Sequence, residues 1–248
     1  MRSSDVILTC DAVAKHFGGV VAVDIEEFHI DRGSITALIG PNGAGKTTFF
    51  DIITGFVDPD AGTIFFEGTD ITTKPAHAIA QAGLVRTFQL TRILDKMTVL
   101  ENMMLAAPSQ SGEHVHNALT RRRRISQEEA EHRERAMQLL DRFSLLPLAH
   151  EFGGRLSGGQ KKLLELARAL MTDPTMVLLD EPMAGVNPAL GEQLLRYVLD
   201  LREEGMTFLF VEHDMDIVMR ISDRVVVMAT GHVIADNTPD AVRKDPRV

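Results

Sequence analysis

Gly40-Pro41-Asn42-Gly43-Ala44-Gly45-Lys46-Thr47 fits the pattern G-x-x-x-x-G-K-[ST] over its full length. The apolar run 35–39 precedes it, and helical text ended by Gly55 follows. A strand–loop–helix unit of this kind turns backbone N–H groups toward an anion and adds the positive end of a helix dipole. Glycines let those N–H groups approach phosphate oxygens without a Cβ in the way. Lys46 would then reach the β- and γ-phosphates of a nucleotide, Thr47 would ligate Mg²⁺, and Thr48 completes the binding set. A second segment, Met176-Val177-Leu178-Leu179-Asp180-Glu181, is an apolar strand that ends in two carboxylates. Such an ending is costly unless the carboxylates do chemistry. Asp180 suits the Mg²⁺ shell, directly or through water; Glu181 is placed to act as general base on an attacking water. In a third segment, Leu156-Ser157-Gly158-Gly159-Gln160, Ser157 reads as a helix N-cap and two glycines expose backbone N–H groups. This is a second anion site in one chain.

The elements that must carry these segments are legible in outline. Short β-branched runs at 6–8, 20–23 and 28–30 are punctuated by Gly18-Gly19 and Gly33. Residues 58–62 form a turn, and 63–66 resume as a strand. From about Thr91 to Met171 the text becomes helical, with Leu139, Leu140 and Phe143 at helical spacing. Alternating strand and helix text returns at Met176. Asn187 caps a helix with Pro188 at its first position, and Leu190, Leu194, Val198 and Leu201 form one stripe of it. Residues 207–211 and 224–228 are further strands, Thr230-Gly231 turns the last hairpin, and Thr238-Pro239 opens a terminal helix.

The chain of 248 residues is long enough to bury a substantial core, and 44% of it is hydrophobic. A charged fraction of 25% excludes a disordered chain. The formal charge of −9 argues against a general nucleic-acid coat. Cys10, the single cysteine, cannot form an internal disulfide, which fits a reducing, cytosolic setting. The polar N-terminus lacks the apolar stretch of a secretory signal, and no apolar run approaches the roughly 20 residues that span a bilayer. Docking on a membrane protein stays open.

Residues 40–47, 156–160 and 176–181, in that order, resemble the ATP-binding cassette (ABC) family, and the resemblance covers essentially the whole chain. The five-residue signature separates that family from other phosphate-loop proteins. The resemblance implies an α/β fold with a P-loop NTPase core of ABC type, an N-terminal antiparallel β subdomain and an inserted α-helical subdomain. The whole chain 1–248 is then one domain, with 1–90 and 172–248 as the nucleotide-binding core and 91–171 as the helical signature part. It implies ATP and Mg²⁺ as ligands, with Phe17 stacking on adenine where Tyr is commoner. Gln89, in Arg86-Thr87-Phe88-Gln89, matches the glutamine that senses Mg²⁺ and water. His213 matches the histidine that contacts the γ-phosphate. Two ATPs would be sandwiched between two subunits arranged head to tail, the second being self or a paralogue. Ser157, Gly158, Gly159 and Gln160 of one subunit would close over the γ-phosphate held by the other. Asn187 departs from the Asp that most relatives carry, keeping hydrogen bonding across the dimer without the charge.

Local text narrows the resemblance. Arg86-Thr87-Phe88-Gln89, Ala184-Gly185-Val186-Asn187-Pro188 and Glu212-His213-Asp214-Met215 look like ATP-binding subunits of branched-chain amino acid importers. Ile221-Ser222-Asp223-Arg224-Val225 and Arg243-Lys244-Asp245-Pro246-Arg247-Val248 look like them too. Those subunits continue a few residues past such an ending, so a slightly truncated C-terminus is expected. The implied partners are membrane permease subunits and, indirectly, a substrate-binding protein, at the cytoplasmic face of the inner membrane; no nucleic acid is implied. Related urea and lipopolysaccharide transport ATPases share much of this text. A soluble ABC regulator is disfavoured by the single phosphate loop and the short insertion, and a phosphate-loop kinase by residues 156–160. Arg121-Arg122-Arg123-Arg124 reads as a solvated face balanced by nearby glutamates, with anionic headgroups as the alternative. Met97, Met103 and Met104 read as core filler or as the adaptable groove that receives a permease helix.

Overall fold

Ile35–Ile39, Met176–Asp180 and Thr207–Val211 are buried at every position. Strands buried on both faces belong inside a parallel sheet, and these three lie side by side in one. The computed structural model describes residues 5–87, 93–108 and 122–248, apart from the side chains of residues 122–125. The chain divides into two compact units. One comprises Met1–Gln89, Thr175–Ala184 and Leu195–Val248; the other comprises Leu90–Pro174 and Gly185–Leu194.

The first unit holds two sheets. The strands are β1 (Val6–Phe17), β2 (Val20–Asp31), β3 (Ile35–Ile39), β4 (Ala61–Phe66), β5 (Thr69–Asp70), β6 (Leu84–Arg86), β7 (Met176–Asp180), β8 (Thr207–Val211), β9 (Arg224–Ala229) and β10 (His232–Asn237). Among the described residues one sheet runs β2-β1-β4-β5 and is antiparallel. The other runs β10-β9-β3-β8-β7-β6, parallel except for β10. The three short N-terminal runs expected from the sequence are in fact two 12-residue strands of one hairpin. Gly18-Gly19 forms its turn, with Phe17 paired to Val20. Polar residues such as Asp11, Asp24 and Glu27 continue the strands on their outer face, which breaks the apolar text without breaking the ladder. A register shift beside Ala12, at φ 52°, is a β-bulge against β4.

Both sheets feed one apolar core with the helix Lys46–Ile53. Phe28 of β2 meets Phe49 of that helix edge to face, ring centroids 4.9 Å apart. Cys10 is buried in the same core; burial, helped by Asp11, pushes its thiol far above the ordinary range, so it is an inert packing residue. The antiparallel sheet also shapes the loop that follows β3. Gly45 adopts φ 100°, and a Cβ there would lie 2.2 Å from the Ala22 carbonyl oxygen of β2. Gly231 N–H donates to the Ala44 carbonyl at 3.0 Å, and Asp24 N–H to the Gly231 carbonyl at 2.8 Å. The loop is thus fastened to β2 and to the β9–β10 turn.

The second unit contains the helices Val99–Met104, Arg122–Arg142 and Gly158–Ala169. Met103, Leu140, Phe143, Leu163 and Leu166 are buried in it. Thr98 and Glu101 form a capping box at the first helix. The buried Asn102 amide accepts from Leu94 N–H at 2.9 Å and donates to the Thr98 carbonyl at 2.9 Å, so the irregular segment before the helix is held from inside. Among the described residues no helix is long and apolar enough to cross a membrane.

Gly45→Ala is expected to lower stability by about 1–3 kcal/mol, since the added methyl meets backbone and the left-handed φ disfavours it. The urea midpoint of unfolding measures this. An unchanged midpoint would mean that the loop is not fixed against β2.

Candidate functional site

Parallel strands leave their sheet at one edge, and register sets how level their ends are. Val211 of β8 pairs with both Leu38 of β3 and Asp180 of β7, so these strands finish together. The loop 40–45 leaves from β3, Glu181 from β7 and Glu212-His213 from β8. In open α/β sheets this carboxyl edge is where ligands bind.

Pro41, Asn42, Gly43 and Thr47 are exposed, Thr48 is half-buried and Ala44 is buried. A Cβ at Gly43 would meet nothing within 4 Å. Gly43 sits at φ 80°, a left-handed conformation that favours glycine, with open space around it, whereas Gly45 is demanded by the protein's own backbone. The helix Lys46–Ile53 has no side-chain cap on its first turn, leaving the N–H groups there as natural anion donors. Lys46 is 7% exposed, and its Nζ donates to the Gly40 carbonyl at 2.7 Å and the Pro41 carbonyl at 3.0 Å. Burial pushes its ammonium below the ordinary lysine value, against the opposing pull of Glu181 and Asp180. Phe17, at the tip of the first hairpin, is 52% exposed, with Lys15 Nζ 5.6 Å from its ring centroid. Its position excludes a core role and leaves a ring face for stacking.

The acidic end of β7 is held by non-local partners. Asp180 Oδ2 accepts from Arg86 Nη2 at 2.8 Å, and both side chains are 7% exposed. The same guanidinium donates to Asp51 of the helix Lys46–Ile53 and lies 5.5 Å from the Phe50 ring centroid. In the sequence Arg86 stands only as one residue of a motif; its type gives no hint that it joins β6, β7 and this helix. Glu181 has φ 47°, a left-handed conformation rare for a non-glycine residue. Its N–H donates to the Val211 carbonyl at 3.0 Å, so the strand turns away immediately after its last ladder bond. His213 Nε2 lies 2.9 Å from Glu181 Oε1. With Glu181 ionised, the imidazole N–H is the donor. Glu212 is buried and accepts N–H bonds from Met183 at 2.9 Å and His213 at 3.1 Å. Burial pushes its carboxyl up; the N–H groups of Met183, His213 and Asp214 pull it down, and Glu181 pushes it up further. Glu212 also escaped the sequence reading.

In the second unit Ser157 caps the helix Gly158–Ala169. Its Oγ accepts from Gln160 N–H at 3.3 Å, and Gln160 Oε1 accepts from Ser157 N–H at 2.9 Å. This reciprocal box satisfies the backbone of Ser157 and Gln160. The first-turn N–H groups of Gly158 and Gly159 have no partner within the helix, as for any helix start. Gly159 is also sterically required, because a Cβ would fall 1.7 Å from Leu190 Cδ2. Asn187 Oδ1 accepts from Leu190 N–H at 3.0 Å, so the oxygen caps the next helix, and this cap does not engage the amide donor. Gln89 and Arg121 lie outside the described residues, as do the side chains of Arg122, Arg123 and Arg124.

No group of three or more His, Cys, Asp or Glu able to hold a metal occurs among the described residues. Thr47 and Asp180 nevertheless fit Mg²⁺, which keeps waters and takes one or two protein oxygens beside substrate phosphates.

Residues 23–184 match the family described as "ABC transporter". A "Probable branched-chain amino acid transport ATP-binding protein LivG" of Archaeoglobus fulgidus is 44% identical over 98% of this chain and 93% of its own length. A "High-affinity branched-chain amino acid transport ATP-binding protein LivG" of Escherichia coli K12 is 37% identical over 99% of this chain and 96% of its own. The crystal structure of a nucleotide-free ATP-binding cassette from an ABC transporter superposes with TM-score 0.85 at 40% identity, over 98% of this chain and 97% of its own. The ADP conformation of such a cassette superposes with TM-score 0.84 at 40% identity, over 98% and 96%. The chain belongs to the ABC transporter family. Within that family it is an ATP-binding cassette, a nucleotide-binding ATPase.

Arg86→Ala would leave Asp180 buried without its cation, and a cost of about 3–5 kcal/mol is expected in urea unfolding. Arg86→Lys should recover only part of it, because an ammonium cannot present a planar fork to two carboxylates. Full recovery by lysine would mean that charge alone, and not the bridge, matters.

Proposed function

We propose that this chain is the ATP-hydrolysing subunit of an importer that takes up branched-chain or other hydrophobic amino acids through a separate permease. The observation that carries the hydrolytic reading is the Glu181–His213 pair beside the Asp180 carboxylate and the phosphate loop, all at one sheet edge. The substrate class is supported by the names of relatives that align over nearly the whole chain.

In this reading Phe17 stacks on the base, and the N–H groups of residues 40–47 hold the phosphates with Lys46. Mg²⁺, for which the family resemblance assigns Thr47, Asp180 and Gln89, would supply charge neutralisation on the phosphates. Glu181 accepts a proton from the attacking water at its carboxylate. His213 holds that carboxylate through Nε2 and can turn the same N–H toward the γ-phosphate. Ser157, Gly158, Gly159 and Gln160 of a second subunit, a copy or a paralogue, close the head-to-tail sandwich from the other side. The capping box supports this by fixing the first turn that carries the glycine N–H groups. Permease docking is assigned to the second unit. There Leu94, Leu105 and Phe152 are each about half exposed, Met97 and Met104 are half-buried, and Met103 belongs to the core. A peripheral position on the cytoplasmic face of the membrane, with a substrate-binding protein on the far side, follows from the same reading.

Glu181→Gln should slow hydrolysis by at least ~10²-fold while ATP still binds. Gel filtration with ATP and Mg²⁺ should then reveal a dimer that is lost with ADP, in the presence of the paralogous ATPase if the homodimer is weak. Wild-type hydrolysis by this variant in the assembled transporter would overturn the role given to Glu181.

Phe17→Ala should weaken ATP by roughly 1–3 kcal/mol, the worth of a base stacked on an aromatic ring, and leave inorganic triphosphate unaffected. Calorimetric titration with both ligands decides it: equal weakening would remove Phe17 from the base site.

A further inference from the structure

The ladder between β7 and β8 ends at the Glu181 N–H bond to Val211, and beyond it the two chains must part. One carboxylate spans the gap. Glu212 Oε1 accepts from Met183 N–H at 2.9 Å on the β7 side, and Oε2 accepts from His213 N–H at 3.1 Å on its own side. Pro182 has no N–H, so Met183 offers the first backbone donor after Glu181. With the His213 Nε2 contact to Glu181 Oε1 at 2.9 Å, these bonds close a ring through Glu181, Met183, Glu212 and His213.

We propose that Glu212 is a positioning residue for hydrolysis: it clamps the loop after Glu181 to the loop bearing His213 and so fixes how the imidazole meets the Glu181 carboxylate. The proposal rests on the roles given above to Glu181 and His213. Three features favour it. Glu212 is 5% exposed, and burying a carboxylate is costly unless its acceptors are used. It accepts from backbone N–H groups, those of Met183, His213 and Asp214, which a carboxylate satisfies and an amide cannot, since an amide turns one oxygen into a donor. Glu181 sits at φ 47°, and a strained residue persists only where its surroundings over-determine it. Glu212 supplies that constraint two residues downstream. Aspartate would be shorter by one methylene, about 1.5 Å, and could not hold both loops at once.

The test uses the full-length chain in single-turnover and steady-state ATP hydrolysis, with urea unfolding run on every variant. Glu212→Gln should lower kcat by at least ~10-fold and leave KM for ATP within about two-fold, because a displaced catalytic pair loses rate and not binding. Glu212→Asp should fall on the same side. In a His213→Ala background, Glu212→Gln should cost several-fold less in single-turnover rate than it does in the wild type, since part of the clamp acts through the imidazole. Equal losses with and without His213, an unchanged kcat, or a variant that no longer folds would each overturn the positioning role. Glu181→Gln is measured beside them. Wild-type hydrolysis in Glu181→Gln overturns the assigned base, whereas a slow Glu181→Gln with a normal Glu212→Gln overturns the clamp alone.

Discussion

The site depends first on the register of three fully buried parallel strands. Because Val211 lies opposite both Leu38 and Asp180, three loops leave the sheet at one level. A slip of one residue in any of these strands would turn its side chains to the other face and move its loop along the edge. Strands packed on both sides strongly resist that slip. The hydrophobic core therefore stabilises the fold and also sets the height at which lysine, carboxylates and histidine meet.

Placing so many carboxylates at this edge creates an electrostatic problem, and each is answered differently. Asp180 shares the Arg86 guanidinium with Asp51. Glu212 is satisfied by backbone N–H groups. Glu181 is half-buried and faces His213. The first is thus held by a side chain from a neighbouring strand, the second by main chain and the third by an imidazole. Lys46 is held by two carbonyls of its own loop, those of Gly40 and Pro41.

The second unit uses the backbone where the first uses side chains. Its signature segment spends the Ser157 and Gln160 side chains on one another and presents main-chain donors from two glycines. Gly159 must also be a glycine because Leu190 occupies the space of its missing Cβ. The signature pattern suggests this glycine for its N–H alone; the steric demand from Leu190, a residue 31 positions away, is not written in it.

The sequence by itself determined what is local. The phosphate loop, the signature and the acidic strand end are each contiguous, and their chemistry follows from residue type at fixed spacing: Lys46 after glycines, Ser157 three before Gln160, Asp180 at the close of an apolar run. The interior strands were equally plain, because full burial leaves an unbroken apolar text. The first hairpin was less so, since its strands carry polar residues on the outer face and a bulge at Ala12 disturbs the alternation. Only the tertiary structure decided the pairs that join distant segments: Arg86 with Asp180, Glu181 with His213, Glu212 with Met183. These partners lie at or just beyond the ends of different strands of the sheet. Which strand lies beside which, and in what register, is fixed by packing over the whole core, and no periodicity within one segment records it.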